Sequence, residues 1–211
     1  MRAIVSGFDV FGAYEFNPTY DLAREFDGRT IGGIEVTGAT LPCSYYDGFN
    51  TLLDEMQRHS PDLILSYGLA TRVPKLRIEA VGTNMMGSNY ADSDGFRPNN
   101  IPILPGERAT YPVTADNLRL AHALFESGIP CQVSLHAESF VCNSLIYLTA
   151  RWIEMHKLPV VHAHIHTPFT DDYLDRVQLP PSKVAIPGDH LRRSVEIALN
   201  EMGRQFREKF G

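Results

Sequence analysis

The sequence predicts an α/β fold built on a mostly parallel sheet covered by helices on both faces, and three observations carry that reading. Strand-like and helix-like hydrophobic periods alternate repeatedly along the chain. Some strand-like runs, such as 63–67, are nearly continuous in apolar residues, as strands buried on both faces are. No internal repeat, low-complexity tract or linker divides the 211 residues, so one domain spanning 1–211 is expected.

Taken in order, residues 3–6 form a short apolar run ending in Gly7, a first buried strand. The loop GFDVFGAYEFNP leads through Asn17-Pro18 into a helix at 19–26. Gly32-Gly33 marks a turn, and 34–41 alternates as a second strand. Residues 45–59 carry an apolar stripe at Tyr46, Phe49, Leu52, Leu53 and Met56, which predicts a helix. A buried strand at 63–67 follows, closed by Gly68, and an alternating strand from Lys75 onward carries Glu79. Residues 84–108 lack periodicity, and a loop of that length inside a domain is usually functional or an interface arm. A helix at 114–127 with Thr114 as N-cap and Gly128 past its end comes next. It is followed by a strand at 131–135, a helix at 140–157, a strand at 160–166, a polar connection at 171–181 and an amphipathic helix at 190–209.

Hydrophobic residues at 44% and charged residues at 21% describe an ordinary soluble protein. A net charge of −6 without a basic stripe argues against nucleic-acid binding. The N-terminus turns to Gly and Asp too soon for a signal peptide, and no stretch approaches the length of a membrane span. Three cysteines, none in a CxxC pair, make neither a disulfide framework nor a zinc knuckle. A reducing, cytoplasmic setting is expected.

The chemistry concentrates on 134–150, SLHAESFVCNSLIYLTA, where a strand passes through a polar joint into a helix with Cys142 near its start. A thiol there meets the N–H groups and dipole of a first helical turn, which favour thiolate. The plain alternative is a buried cysteine acting as a small hydrophobe. In VHAHIHTPF, His162, His164 and His166 alternate and so share one face of a strand. Three readings stand: a metal site, a structural array, or a single base at His166, the strand's carboxyl end. Glu79, among apolar neighbours, is either a solvent-facing strand residue or a carboxylate that orients an imidazole. Phe8 and Phe11, in a loop at a strand's carboxyl end, are either a ligand wall or a cap on the core.

At these residues the chain resembles the pyroglutamyl peptidase I (pyrrolidone-carboxylate peptidase) family of cysteine peptidases. GFDVFGAYEFNP is similar to the family's GFDPFGG…NP, PDLILSYGLA to its PD…GLA, and IEAVGTN to its IER.A.N. FVCN at 140–143 matches the nucleophile motif, HIHTPF matches F-I-H-V-P-[FY], and LPPS at 179–182 matches a late PPS motif. The resemblance implies an α/β/α sandwich with Cys142 as nucleophile, His166 as base and Glu79 as orienting acid. It implies an apolar lactam pocket at Phe8, Phe11, Phe140 and Val141, near Asn17. It further implies removal of N-terminal pyroglutamyl residues from peptides through an acyl-enzyme, no metal or other cofactor, and a homo-oligomer, often a tetramer. A divergent hydrolase of another acyl or cyclic-amide substrate, or a non-catalytic relative, are the alternatives. They are motivated by three departures: Ala137-Glu138 where the family has Ala-Gly, Gly87-Ser88-Asn89 where it has Asp-Ala-Arg, and Arg72-Val73 where it has Gly-Arg.

Overall fold

The computed structural model describes residues 1–12, 15–174 and 184–211, so the LPPS segment at 179–182 lies outside the described residues. In chain order the elements are β1 (Arg2–Phe8), α1 (Pro18–Phe26), β2 (Thr30–Ile31), β3 (Ile34–Leu41), α2 (Asp47–His59), β4 (Leu63–Leu69), β5 (Leu76–Glu79) and β6 (Val81–Thr83). There follow β7 (Thr110–Pro112), α3 (Asn117–Glu126), β8 (Cys131–Ser134), α4 (Val141–His156), β9 (Val161–Thr167), β10 (Phe169–Thr170), α5 (Asp171–Leu174), β11 (Ala185–Ile186) and α6 (Gly188–Phe210). Seven strands form one sheet in the order β2-β3-β1-β4-β9-β5-β8. The central run β3-β1-β4-β9 is parallel, whereas β5 enters antiparallel to β9 and then pairs in parallel with β8.

Strand alternation divides the core into two layers. Ala3, Val5, Leu63, Leu65, Val161, Ala163 and Ile165 point to one face, where α1, α3 and α6 cover them with Leu22, Phe26, Leu120, Leu124, Leu191 and Val195. Ile4, Phe8, Leu41 and Ile64 point to the other, under Leu52 and Met56 of α2 and Leu145, Leu148 and Ile153 of α4. An α/β/α sandwich results. Each face of the sheet is apolar for the ordinary reason that its area is removed from water.

The second face changes character toward the carboxyl ends of β4 and β9. There the register sets Ile64 beside His162, Ser66 beside His164 and Gly68 beside His166. Ser6 of β1 donates to Ser66 over 2.9 Å within this buried polar patch. The N-terminus of α4 lies over it, since a Cβ built on Gly68 would meet Cys142 Sγ at 2.7 Å. At β1, Gly7 serves a close approach too: a Cβ there would fall 1.7 Å from the Thr19 carbonyl oxygen, so α1 could not start where it does.

Most boundaries follow the periodicity, and one cap does not. Asp116, not Thr114, caps α3, accepting from the N–H groups of Leu118 and Arg119 at 3.1 Å each. Thr114 instead fastens the chain to the start of β9, donating to the Val160 carbonyl at 2.8 Å and accepting from the His162 N–H at 2.7 Å. The long segment after β6 holds only an isolated bridge between Met86 and Ile101 before β7 begins.

Candidate active site

Three elements deliver the three residues read from the sequence to one place. Cys142 is the second residue of α4, Glu79 the last residue of β5, and His166 lies one residue from the end of β9. His166 Nδ1 is 2.7 Å from Glu79 Oε1. The sulfur of Cys142 and ring nitrogens of His164 and His166 all lie within 4.8 Å of one another. With Nδ1 engaged by the carboxylate, Nε2 of His166 is the nitrogen left to face the thiol.

A fourth group, Arg77, was not singled out from the sequence. It is two residues before Glu79 on β5, and the antiparallel register with β9 sets it beside His166. Its Nε is 3.1 Å from Glu79 Oε1 and its Nη2 is 3.2 Å from His166 Nδ1. Because Arg77 only donates, and Nδ1 must carry its proton to bond the carboxylate, the cation and the imidazole share one acceptor, Glu79. Glu79 is fully buried, and burial alone would push its carboxyl up. The hydrogen bond and charge of His166, the neighbouring Ser134 hydroxyl and the Arg77 charge outweigh that cost and hold it below the usual carboxylate range. Its second oxygen, Oε2, is buried with no hydrogen bond of good geometry.

Burial pushes the Cys142 thiol well up, and the nearby Cys43, Glu79 and Glu138 push the same way, against the pull of Arg77. The helix start favours thiolate, as the sequence leads one to expect, but desolvation outweighs it here. A thiol with an imidazole beside it is an arrangement that can pass a proton from sulfur to nitrogen.

The residues expected to hold substrate divide into two groups. Phe8 and Val141 are buried in the second core layer, whereas Phe11 and Phe140 are partly buried and pack on it. Phe11 and Phe140 meet at a tilt with 5.7 Å between ring centroids, Phe140 meets Tyr45 edge-on at 5.5 Å, and Tyr45 meets Phe96 at 5.9 Å. An aromatic row therefore runs from the first loop past the start of α4 into the long 84–108 segment. Asn17 has a different task from its neighbours. It caps α1 by accepting from the Thr19 N–H at 3.1 Å and donates to the Asp9 carbonyl at 3.0 Å, tying the loop that carries Phe11.

The 84–108 segment is fastened to the start of α4 rather than extended away from it. Asn143, next to Cys142 and fully buried, accepts from the Thr83 N–H at 2.8 Å and donates to the carbonyls of Thr83 at 2.8 Å and Met85 at 2.9 Å. Ser139 donates to the Gly87 carbonyl at 2.5 Å. Asn84 and Leu104 close the base of the segment with reciprocal bonds of 2.8 Å. Asp92 accepts from the N–H groups of Tyr45, Asp94 and Phe96, which sets Phe96 in the aromatic row. Asn143 was visible in the sequence as the last letter of FVCN, but its task depends on a partner sixty positions away.

Glu138 stands in the joint before α4 at φ +62°. That is the left-handed region which glycine enters freely and a glutamate enters at a cost. Glu138 therefore keeps a glycine-like backbone conformation while adding an exposed negative charge near Cys142.

A family model described as pyroglutamyl peptidase matches residues 1–202. A pyrrolidone-carboxylate peptidase of Pyrococcus furiosus is 28% identical over 207 residues, covering 96% of this chain and 100% of the relative. One from Vibrio vulnificus is 31% identical over 167 residues, 79% of this chain and 78% of the relative. A solved mutant pyrrolidone carboxyl peptidase from Pyrococcus furiosus superposes with a TM-score of 0.91 at 25% identity, over 97% of this chain and 99% of that one. The fold, the clustered cysteine, histidine and glutamate, and a match over nearly the whole length agree: the chain belongs to the pyroglutamyl peptidase family of cysteine peptidases.

Proposed function

We propose that this chain removes N-terminal pyroglutamyl residues from peptides by thiol catalysis. Cys142 is the nucleophile, His166 the proton carrier and Glu79 the group that orients and charge-balances the imidazole. The observation that carries this reading is the 2.7 Å bond between His166 and Glu79 beside a thiol at a helix start. In the first step His166 Nε2 takes the Cys142 proton as sulfur adds to the pyroglutamyl carbonyl carbon. No side chain among the described residues caps α4, and with the Asn143 and Ser144 N–H groups bonded to the Phe140 carbonyl, those of Val141 and Cys142 are left to stabilise the resulting oxyanion. The imidazolium then gives its proton to the departing amine as the C–N bond breaks, leaving a thioester. Water, deprotonated by His166, hydrolyses the thioester and releases pyroglutamate with the thiol restored.

Phe11 and Phe140, backed by Phe8 and Val141, supply an apolar wall for a lactam ring. Such a ring has no charged amine to grip, so apolar contact and a few backbone hydrogen bonds must recognise it. Asn17 contributes by holding the loop that bears Phe11. A fluorogenic pyroglutamyl amide tests the reading. Turnover under reducing conditions that disappears in Cys142→Ala is expected, and the absence of turnover by the wild-type protein would overturn it.

The family resemblance supports a homo-oligomer, and the exposed Met85, Tyr90, Phe96 and Ile101 of the long segment offer apolar surface for one. All three cysteines are free thiols, which suits a cytoplasmic setting. Among the described residues, no helix is long and apolar enough to cross a membrane.

A further inference from the structure

Besides the Cys142, His166 and Glu79 relay, the carboxyl end of β9 presents a group that the reaction does not use. His164 is fully buried, and neither of its ring nitrogens has a hydrogen-bond partner among the described residues. A buried imidazole usually satisfies at least one nitrogen, so two orphaned ones need a reason. The space around Nε2 supplies one for that atom. The position that a Cβ on Gly68 would occupy lies 3.1 Å from His164 Nε2, 2.7 Å from Cys142 Sγ and 3.0 Å from His166 Cδ2, the carbon bonded to Nε2. Three side chains thus converge on one point that a glycine keeps clear.

The geometry points to a site for a thiophilic divalent cation such as Zn²⁺, ligated by Cys142 Sγ, His164 Nε2 and His166 Nε2. The assignment differs from a metal array along His162, His164 and His166, because the sulfur from α4 takes the place of His162. Cysteine and neutral imidazole are the donors zinc prefers. Tetrahedral zinc, with bonds of roughly 2.0–2.3 Å, holds its ligand atoms about 3.5 Å apart. The three ligand atoms, already within 4.8 Å of one another, therefore close on the ion by shifts of about an ångström. Glu79 on Nδ1 of His166 completes the carboxylate–histidine–metal arrangement in which the outer carboxylate fixes the tautomer and strengthens the ligand.

Binding would replace the S–H bond of Cys142 by an S–Zn bond, release one proton to solvent and involve no change of oxidation state. Since the cation occupies both the nucleophile and the base, the bound form is catalytically silent and regains activity when the metal is withdrawn. The site would make turnover sensitive to free zinc, an inhibition resting on the peptidase reading. Binding itself does not depend on that reading.

Chelator-treated protein titrated with Co²⁺ reads the site directly. One equivalent should produce a thiolate-to-cobalt charge-transfer band, and Zn²⁺ should displace it. His164→Leu should weaken Zn²⁺ binding by about 100-fold or more, beyond the roughly 10- to 100-fold that outer partners contribute. Its metal-free kcat/KM should stay within a fewfold of wild type. His162→Leu should leave the metal affinity unchanged. His164→Gln, closer in shape and polarity, provides the same comparison if the leucine variant does not fold. No cobalt–thiolate band in the wild-type protein, or equal Zn²⁺ affinity with and without His164, would overturn the proposal. A band without any pyroglutamyl turnover would keep the site and discard the peptidase reading.

Discussion

His162 and His166 lie four residues apart on one strand, on one face, and both are buried, yet only His166 meets charged partners. His162 has both ring nitrogens unbonded, and burial alone pulls it down to about 3. His166 donates to a carboxylate, has a guanidinium at 3.2 Å, and faces a thiol. The difference is not in the residue or its strand but in what arrives from elsewhere. Next to His162, β4 contributes Ile64. Toward His166, β5 enters antiparallel with Arg77 and Glu79, and α4 begins overhead with Cys142. The proposed catalytic character of His166 comes from the end of the sheet at which elements converge.

The largest test of that contrast replaces each histidine with glutamine. His166→Gln is expected to lower kcat for a pyroglutamyl amide by about three to four orders of magnitude, the scale of losing a triad member. His162→Gln should change kcat/KM less than about threefold. Steady-state kinetics with matched thermal melts checks both, and comparable losses at the two positions would break the comparison. Next in size, Glu79→Gln keeps the shape but removes the charge that balances an imidazolium. A loss in kcat of about two to three orders is expected, with a smaller change in KM, because the carboxylate acts on His166 rather than on substrate.

Arg77→Met asks whether the cation beside Glu79 matters to the relay. With Arg77 present, Glu79 titrates below its unfolded value. Its ionised form therefore stabilises the fold above the unfolded carboxylate pKa of about 4.3, and that stability is lost as pH falls through the folded value. Removing Arg77 raises the folded value, so the acid limb of both kcat/KM and stability should move to higher pH. The alkaline side should keep most of its rate. Arg77 also pulls the Cys142 thiol down, so the variant should alkylate more slowly with iodoacetamide at a given pH. An unmoved acid limb would make Arg77 a packing residue only.

Much of this was legible in the chain itself, for reasons that differ by residue. Alternating periods and apolar runs exposed the layered sheet, and the start of α4 was readable to within a residue because a polar joint separates two strong patterns. Cys142, Glu79 and His166 were legible through motifs rather than through spacing, since 63 and 24 residues separate them in sequence and no local rule links them. Arg77 was hidden because it reads as one member of an alternating strand. Its meeting with His166 depends on β5 running against β9, and hydrophobic pattern carries no strand direction. The cap of α3 went to Asp116 because Thr114 found partners at the start of β9, a tertiary choice that local propensity does not encode. His164 looked like any alternate strand residue until α4 placed a sulfur over it.

The smallest expected effect tests the joint before α4, where Glu138 sits in a glycine-like conformation beside the thiol. Two consequences of Glu138→Gly oppose each other in stability. Relief of the left-handed backbone strain favours the fold by about 1 kcal/mol, while glycine's larger unfolded-state entropy costs about 0.4–1 kcal/mol. The melting temperature should therefore shift little. The charge has no such counterweight: Glu138 pushes the Cys142 thiol up, so its removal should raise the thiolate fraction and the alkylation rate severalfold near neutral pH. Glu138→Gln separates the two effects, because it removes the charge and keeps the strain. If glutamine and glycine accelerate alkylation equally, the side chain at 138 acts on Cys142 through its charge. If only glycine does, it acts through the backbone of the joint, and the thiol's reactivity is set by how α4 is entered.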